Sequence, residues 1–509
     1  MKKKDSLFRL IKSLTKTEKR FFKIYSSRHV IGEQNNYVEL FDAIDSQKNY
    51  NEEALLKKFA DKKFANRLPV AKSYLYDLVL RSMNVYHNQN TIEAQLRELM
   101  GSMEFLYQKG IYDHAFKLVQ KAKKIAQDAE KPALLLMAYE WEKQLLEALV
   151  FTTHTDADLH RLFENNQRLL QQLTEINQYW LLHTQLLYHN AQQGITANAT
   201  DLDKITQLLT HPLLGHGNEP QSYQAALLRY KTLATCFFIM RQLQPCYEYS
   251  RKLVLLLESR PELLPQEAIT YINAINNLLN TTAALQKQDE RGFYLSKLQA
   301  MLSDDKWQTS EALQLKLFEA YYYHQMTLYI GQGNYTEGLV CLSKLEEGLT
   351  RFADRIDGIG VIMLCFYAFH ICFGAGQFVQ AHAWLMRVLE YQHTNLRRDI
   401  VTFAKILTLL TTYEMRNAPV FAKTAKSVYR FLLGKEKQYE LENIIVRFLK
   451  TIAQLPPNAD TMPVFYQLRQ TLAALTDDAY EKRVFAYFDF MAWVNAKLSP
   501  VPVSSLQQV

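Results

Sequence analysis

A six-residue pattern recurs between apolar stretches of helical spacing, and it constrains this chain more than any other feature. Its copies read Gly110-Ile111-Tyr112-Asp113-His114-Ala115, Gly333-Asn334-Tyr335-Thr336-Glu337-Gly338 and Gly376-Gln377-Phe378-Val379-Gln380-Ala381. Glycine enters left-handed backbone without a Cβ clash, so it lets a helix stop in a tight turn. The aromatic two positions on can plug the corner between helices. The small residue three further on lets the second helix press against its neighbour. Gly333 and Gly376 lie 43 residues apart, and stepping by that interval reaches weaker echoes at Gln288, Arg241 and Gly194 in one direction and Asn417 in the other. Stacked helical hairpins produce such a period. The expectation is an all-α fold, a superhelical solenoid of antiparallel helix pairs with a small N-terminal helical module.

Between the corners, stripes such as Leu313, Leu317, Ala320, Tyr321, His324 and Leu328 follow the 3.6-residue period with a wide apolar face. A helix flanked on both sides needs such a face. The 509 residues are many for a single core but ordinary for a repeat array, and 16 glycines and 13 prolines are too few for a turn-rich β protein. The segment from Gly358 to Met386 carries no Lys, Arg, Asp or Glu. It runs into the third corner and contains His370, so it reads as a buried repeat helix and not as a membrane span. Cys236, Cys246, Cys341, Cys365 and Cys372 sit inside helical patterns and form no C-x-x-C. They read as small buried apolar residues in a reducing, cytoplasmic setting. Charges interrupt the first residues too soon for a signal-peptide apolar region.

The charge is uneven. Residues 1–90 hold 18 Lys and Arg against 10 Asp and Glu, so the chain's net +7 belongs to this N-terminal module. Here Thr15-Lys16-Thr17-Glu18 reads as a capping box opening a helix through Tyr25, and Asn51 reads as the cap of the next helix but one. A longer helix is expected from Val70 to Tyr86. Lys12, Lys16, Lys19, Arg20 and Lys23 gather around one helix, and Lys57, Lys58, Lys62, Lys63 and Arg67 around another, with Phe21, Phe22 and Tyr25 beside the first. This is a solvated face or a surface for nucleic acid or an acidic partner. The repeats are expected over 91–455, two capping helices over 456–498 (the second from Thr476 to Lys497), and a disordered tail over 499–509.

Leu106 to Ala122 resembles the corner and second helix of the tetratricopeptide repeat, with Ala115 and Ala122 at its two small-residue positions and Ala381 and Val388 standing there in the third copy. The period here is longer than that family's 34 residues. The resemblance implies a groove lined by the first helix of each pair, at three, six, ten and thirteen positions before the corner glycine. Carried over, the first unit places Arg97, Met100, Glu104 and Tyr107 there. The second places Ala320, Tyr323, Thr327 and Ile330, and the third Met363, Phe366, His370 and Phe373. Members that hold a terminal carboxylate use Lys and Asn at these positions, and the three glycine-marked units have neither.

No phosphate-binding loop, dinucleotide fingerprint, G-x-S-x-G elbow or H-E-x-x-H occurs. His154, Asp156, Asp158 and His160 come closest to a metal-ligand spacing, but alternate members fall on different helix faces and the run reads as a polar helix start. His211 and His216 lie in a Pro- and Gly-containing loop. The sequence therefore points to no catalytic constellation, metal or cofactor. It points to a protein-interaction scaffold that binds a peptide or helix in its groove, with Tyr323, Phe366 and Phe373 as anchors. The alternative is a regulator whose basic module contacts nucleic acid while the repeats sense a ligand or partner.

Overall fold

The computed structural model describes residues 6–27, 36–62, 64–87, 91–151, 155–193, 205–215, 217, 219–307, 310–394, 396–433, 440–455, 459–475, 485 and 487–499. All regular structure among them is helical, and helices adjacent in sequence pack as pairs, as in a solenoid. The chain forms two compact units. One comprises residues 1–181 with 219–226, the other residues 182–218 with 227–509.

The first unit opens with α1 (Ser6–Ser13), α2 (Lys16–Ser27), α3 (Asn36–Asp45), α4 (Glu52–Lys58) and α5 (Leu68–His87). Leu7, Ile11, Phe22, Leu40, Phe41, Leu75 and Val79 form their common core. The expected caps are present. Thr15 N–H donates to Glu18 Oε2 at 2.7 Å while Glu18 N–H donates to Thr15 Oγ1 at 3.2 Å, and Asn51 Oδ1 accepts from Ala54 N–H at 3.1 Å. Then follow α6 (Ile92–Gln108), α7 (Tyr112–Asp128), α8 (Pro132–Ala148) and α9 (Asp156–Gln193), whose last residues pass into the second unit. The fully buried Ala115, Ala122 and Ala138 bring α6, α7 and α8 together.

The second unit contains α10 (Tyr223–Ile239, from Leu227 on), α11 (Leu243–Glu258), α12 (Ala268–Ala284), α13 (Gln288–Ser303), α14 (Glu311–Gly331), α15 (Tyr335–Arg351), α16 (Gly358–Gly374), α17 (Phe378–Leu389), α18 (Arg398–Glu414), α19 (Ala418–Leu433), α20 (Glu440–Gln454), α21 (Met462–Leu475) and α22 (Phe490–Leu498). One apolar core runs from Phe318 to Val494.

The three glycine corners are left-handed, with φ of +72° at Gly110, +64° at Gly333 and +73° at Gly376. Each ends its helix with a bond from the residue after the glycine back over five residues, such as Gln377 N–H to Cys372 O at 2.8 Å. The aromatic plug is real: Tyr335 packs where a Cβ on Gly374 would strike its ring, and Phe378 lies 5.3 Å from Phe373. Further corners use non-glycine residues in the same conformation, at Glu130, Val150, Arg241, Gln286 and Arg416. Each costs about 1 kcal/mol relative to glycine. Hence the echo at Gln288 is displaced: the corner is Gln286, and Gln288 already opens α13. Likewise Arg416 is the turn residue, while Asn417 caps the next helix through Val420 N–H. Gly194 lies outside the described residues.

The charge-free segment forms a buried helix as expected: α16 spans 17 residues and stops before Gly376, and among the described residues no helix is long and apolar enough to cross a membrane. One expectation changes: the helix expected from Thr476 to Lys497 is not continuous. Thr476, Asp477 and Asp478 lie outside the described residues, Phe488 and Asp489 are non-helical, and α22 starts at Phe490. Asp489 Oδ1 accepts from Ala492 N–H at 2.8 Å, which supplies a new helix start, and the break sends Phe488 into an aromatic box on α16.

Candidate binding groove

Arg241, Gln286, Gly333, Gly376 and Arg416 are equivalent corners, so one spacing rule finds equivalent side chains on the helix before each. Ten and thirteen positions before Gly333 stand Tyr323 and Ala320, and thirteen before Gly376 stands Met363. All three line one pocket of about 300 Å³. Counting back six, ten and thirteen from Gln286 gives Asn280, Asn276 and Asn273, which line the same pocket from α12. Lys316, Glu319, Asp357 and Gly360 complete the walls. The sequence reading missed these amides because their corner carries no glycine, yet asparagines recurring on successive turns of one helix were a visible signal.

The amide of Asn276 is held in one orientation. His324, 1% exposed, places Nε2 2.9 Å from Asn276 Oδ1. Burial, with the nearby Arg291 guanidinium, pushes the His324 pKa down to about 3, so the ring is neutral, and Nε2 donates because it faces an amide oxygen. Asn276 also lines the pocket. Opposite, Tyr323 meets Tyr367 edge-on at 5.1 Å. Burial raises the Glu319 pKa. Lys316, 3.8 Å away, opposes that shift, and Asp357 adds to it. Gly360 has a steric role, because a Cβ there would collide with the Glu319 carboxylate. The pocket thus combines three amides, one cation, two carboxylates and an apolar floor.

The other expected groove residues of this unit have different surroundings. Thr327 Oγ1 accepts from Arg291 at 3.0 Å and donates to His324 O at 3.0 Å. Phe366 and Phe373 are 3% and 5% exposed. Ile330, His370 and Phe373 face a small cavity of about 40 Å³ together with Phe488 and Trp493. Phe488 stacks on His370 at 5.9 Å and meets Phe373 edge-on at 5.2 Å. Burial lowers the His370 pKa to about 4, against an opposing bond to Tyr487. Next along, Phe403, Ile406, Leu410 and Tyr413 occupy the four equivalent positions before Arg416, and the Tyr487 ring stacks on Phe403 at 4.6 Å.

In the first unit, Arg97 and Glu104 are exposed, Met100 is buried, and Tyr107 is half-buried, 5.3 Å from Tyr112 and 5.8 Å from Trp141. Half of the described basic cluster is paired within its own module. Lys19 pairs with Asp45 at 2.7 Å, Lys23 with Asp42 at 2.6 Å and Lys62 with Glu39 at 3.5 Å, and Lys12 lies 3.9 Å from Asp45. Lys16, Arg20, Lys57 and Lys58 form no ion pair among the described residues, and Lys63 lies outside them. Phe22 is in the core against Phe41, and Phe21 packs on Tyr86, so neither ring is displayed for stacking on a base.

Asp158 is engaged in a capping box with Thr155, at 2.8 and 3.0 Å, and the exposed His160 lies 3.6 Å from Asp156. His154 lies outside the described residues, among which no cluster of three metal-ligating side chains occurs. Burial raises the thiols of Cys236, Cys365 and Cys372 to about 12 and those of Cys246 and Cys341 to about 11, well away from nucleophilic reactivity. The chain matches no protein-family model and no curated protein.

Proposed function

We propose that the chain is a non-enzymatic interaction scaffold whose groove holds an extended peptide across α12, α14 and α16. The observation that supports this reading is the row of Asn273, Asn276 and Asn280 opening into one pocket. A carboxamide donates and accepts at once, so a row of them can pair with main-chain N–H and C=O groups whatever the peptide's side chains are. Magnitudes show what else is needed. Each such bond contributes about 0.5–1.5 kcal/mol net, whereas micromolar binding requires about 8 kcal/mol. Apolar anchoring must supply much of the rest, and Tyr323 and Met363 stand beside the amides to do so. Phe373, also expected as an anchor, is turned onto Phe488, and Phe366, likewise expected, is buried against Phe369 and His370, so both lend the pocket less.

The test is selection of random peptides on the immobilised full chain, followed by affinity measurement on an Asn276→Ala/Asn280→Ala variant. Binding should weaken at least about tenfold. Selected peptides that bind the folded variant equally well would show that the amides are not the site. The nucleic-acid reading draws less support, because Phe21 and Phe22 pack inside the module and Lys12, Lys19, Lys23 and Lys62 are paired there, which leaves Lys16, Arg20, Lys57 and Lys58 to carry it.

A further inference from the structure

The groove has two stretches built from the same helix positions, and the chain itself fills one of them. At His370, Phe373, Phe403 and Tyr413 the groove-lining side chains are covered by Tyr487, Phe488 and Trp493 of the segment 487–498. This segment makes ligand-like contacts. It enters as non-helical backbone, with Phe488 seated among Phe369, His370 and Phe373. Tyr487 Oη donates to Asp399 Oδ2 at 2.8 Å. It continues as a nine-residue helix, α22, whose Trp493 is 1% exposed and meets Tyr413 and Phe448 edge-on. Both oxygens of Glu414 are used: Trp493 Nε1–H donates to Oε1 and Lys497 Nζ to Oε2, each at 2.7 Å. The Glu414 side chain is only 7% exposed. A helix of nine residues is unstable alone in water, so docking is what keeps α22 helical. Two aromatic anchors, a buried carboxylate and a short apolar helix are the elements by which this segment is held in the groove.

We propose that Tyr487–Leu498 is an exchangeable, in-cis ligand of the distal groove. It closes that stretch until a segment of the same chemistry, an aromatic entry followed by a short helix carrying Trp and Lys, takes its place. This rests on the groove reading, but it concerns α16, α18, α20 and α21, on which α22 packs most closely with Phe465 5.5 Å from Trp493, and not the asparagine pocket. The occupant is named by the contacts already made: any replacement must satisfy Glu414 and Asp399 and fill the Phe488 and Trp493 sites.

The experiment uses the full chain and a fluorescent synthetic peptide of residues 485–498. The Phe488→Ala/Trp493→Ala variant should capture the peptide at least about tenfold more tightly than the wild type, whose own segment competes in cis. Adding Glu414→Gln should then weaken capture about tenfold. A folded double variant that does not bind the peptide overturns the proposal. Hydrogen exchange on the unaltered protein decides the matter even if the variant does not fold. Exchange of the α22 amides well ahead of those in α18 supports release of the segment, whereas equal protection shows a fixed part of the core and overturns it. The Asn276→Ala/Asn280→Ala change should leave peptide capture intact, so failure of the asparagine-pocket reading and failure of this one give different results.

Discussion

Along α12, α14 and the start of α16 the groove is open and lined with amides and charges. Along the end of α16 and α18 the equivalent positions are aromatic or aliphatic and are covered by the chain's own C-terminal segment. The backbone is alike in both stretches, since each lining helix ends in a left-handed corner. What differs is the solvation of what faces inward. Amides can wait in water at little cost, whereas a surface of Phe366, Phe373, Phe403 and Leu410 cannot, at roughly 25 cal/mol for each Å² of apolar area. A repeat can therefore specify where a groove runs while side-chain polarity decides whether it stays empty.

The largest test of this contrast is Trp493→Ala. It removes a fully buried ring and leaves Glu414 with one partner fewer, so urea unfolding should show a loss of about 3–5 kcal/mol. A loss under about 1 kcal/mol would mean that the distal stretch does not depend on its cover.

Acid should come next. His324 and His370 have pKa values lowered to about 3 and about 4, against about 6.5 when unfolded. Below pH 6.5 the unfolded chain binds protons that the folded chain does not. Their stability is therefore complete above pH 6.5 and is lost as pH falls towards 4, by a few kcal/mol. Urea midpoints across this range should show the decline, and His370→Gln should flatten it. A profile that His370→Gln leaves unchanged would show that the ring is not shielded by Phe488.

Gly374→Ala should cost about 1–3 kcal/mol by forcing a methyl into the Tyr335 ring. Thermal unfolding will measure it, and no change would mean that the corner can shift.

The smallest effects sharpen the polar stretch. Asn276→Ala should destabilise by about 1–3 kcal/mol, because the buried His324 N–H loses its acceptor. Asn280→Ala, with no such buried partner, should stay within about 0.5 kcal/mol. Equal costs for the two would contradict the orienting role of His324.

Much of the architecture was legible because corners are local. A glycine, an aromatic and a small residue within six positions report on one turn, and Gly110, Gly333 and Gly376 all behave as that chemistry requires. The capping boxes at Thr15 and Thr155 are local as well. Legibility failed where a non-glycine residue takes the strained conformation. Gln286 resembles any helical glutamine, so the spacing rule was not applied to it, and Asn273, Asn276 and Asn280 went unnoticed. The sequence reading also treated Phe366, His370 and Phe373 as available. The contact of His370 and Phe373 with Phe488 joins residues more than a hundred positions apart, and no local pattern encodes it.

The sequence by itself determined the helices, the corners and the register that places one face of each helix towards the groove, because these depend on periodicity and backbone sterics over a few residues. Only the tertiary structure decided which stretch of the groove is open. That outcome depends on long-range burial: Trp493, Phe488 and Lys497 lose water only when Glu414, His370 and Phe373 are there to replace it.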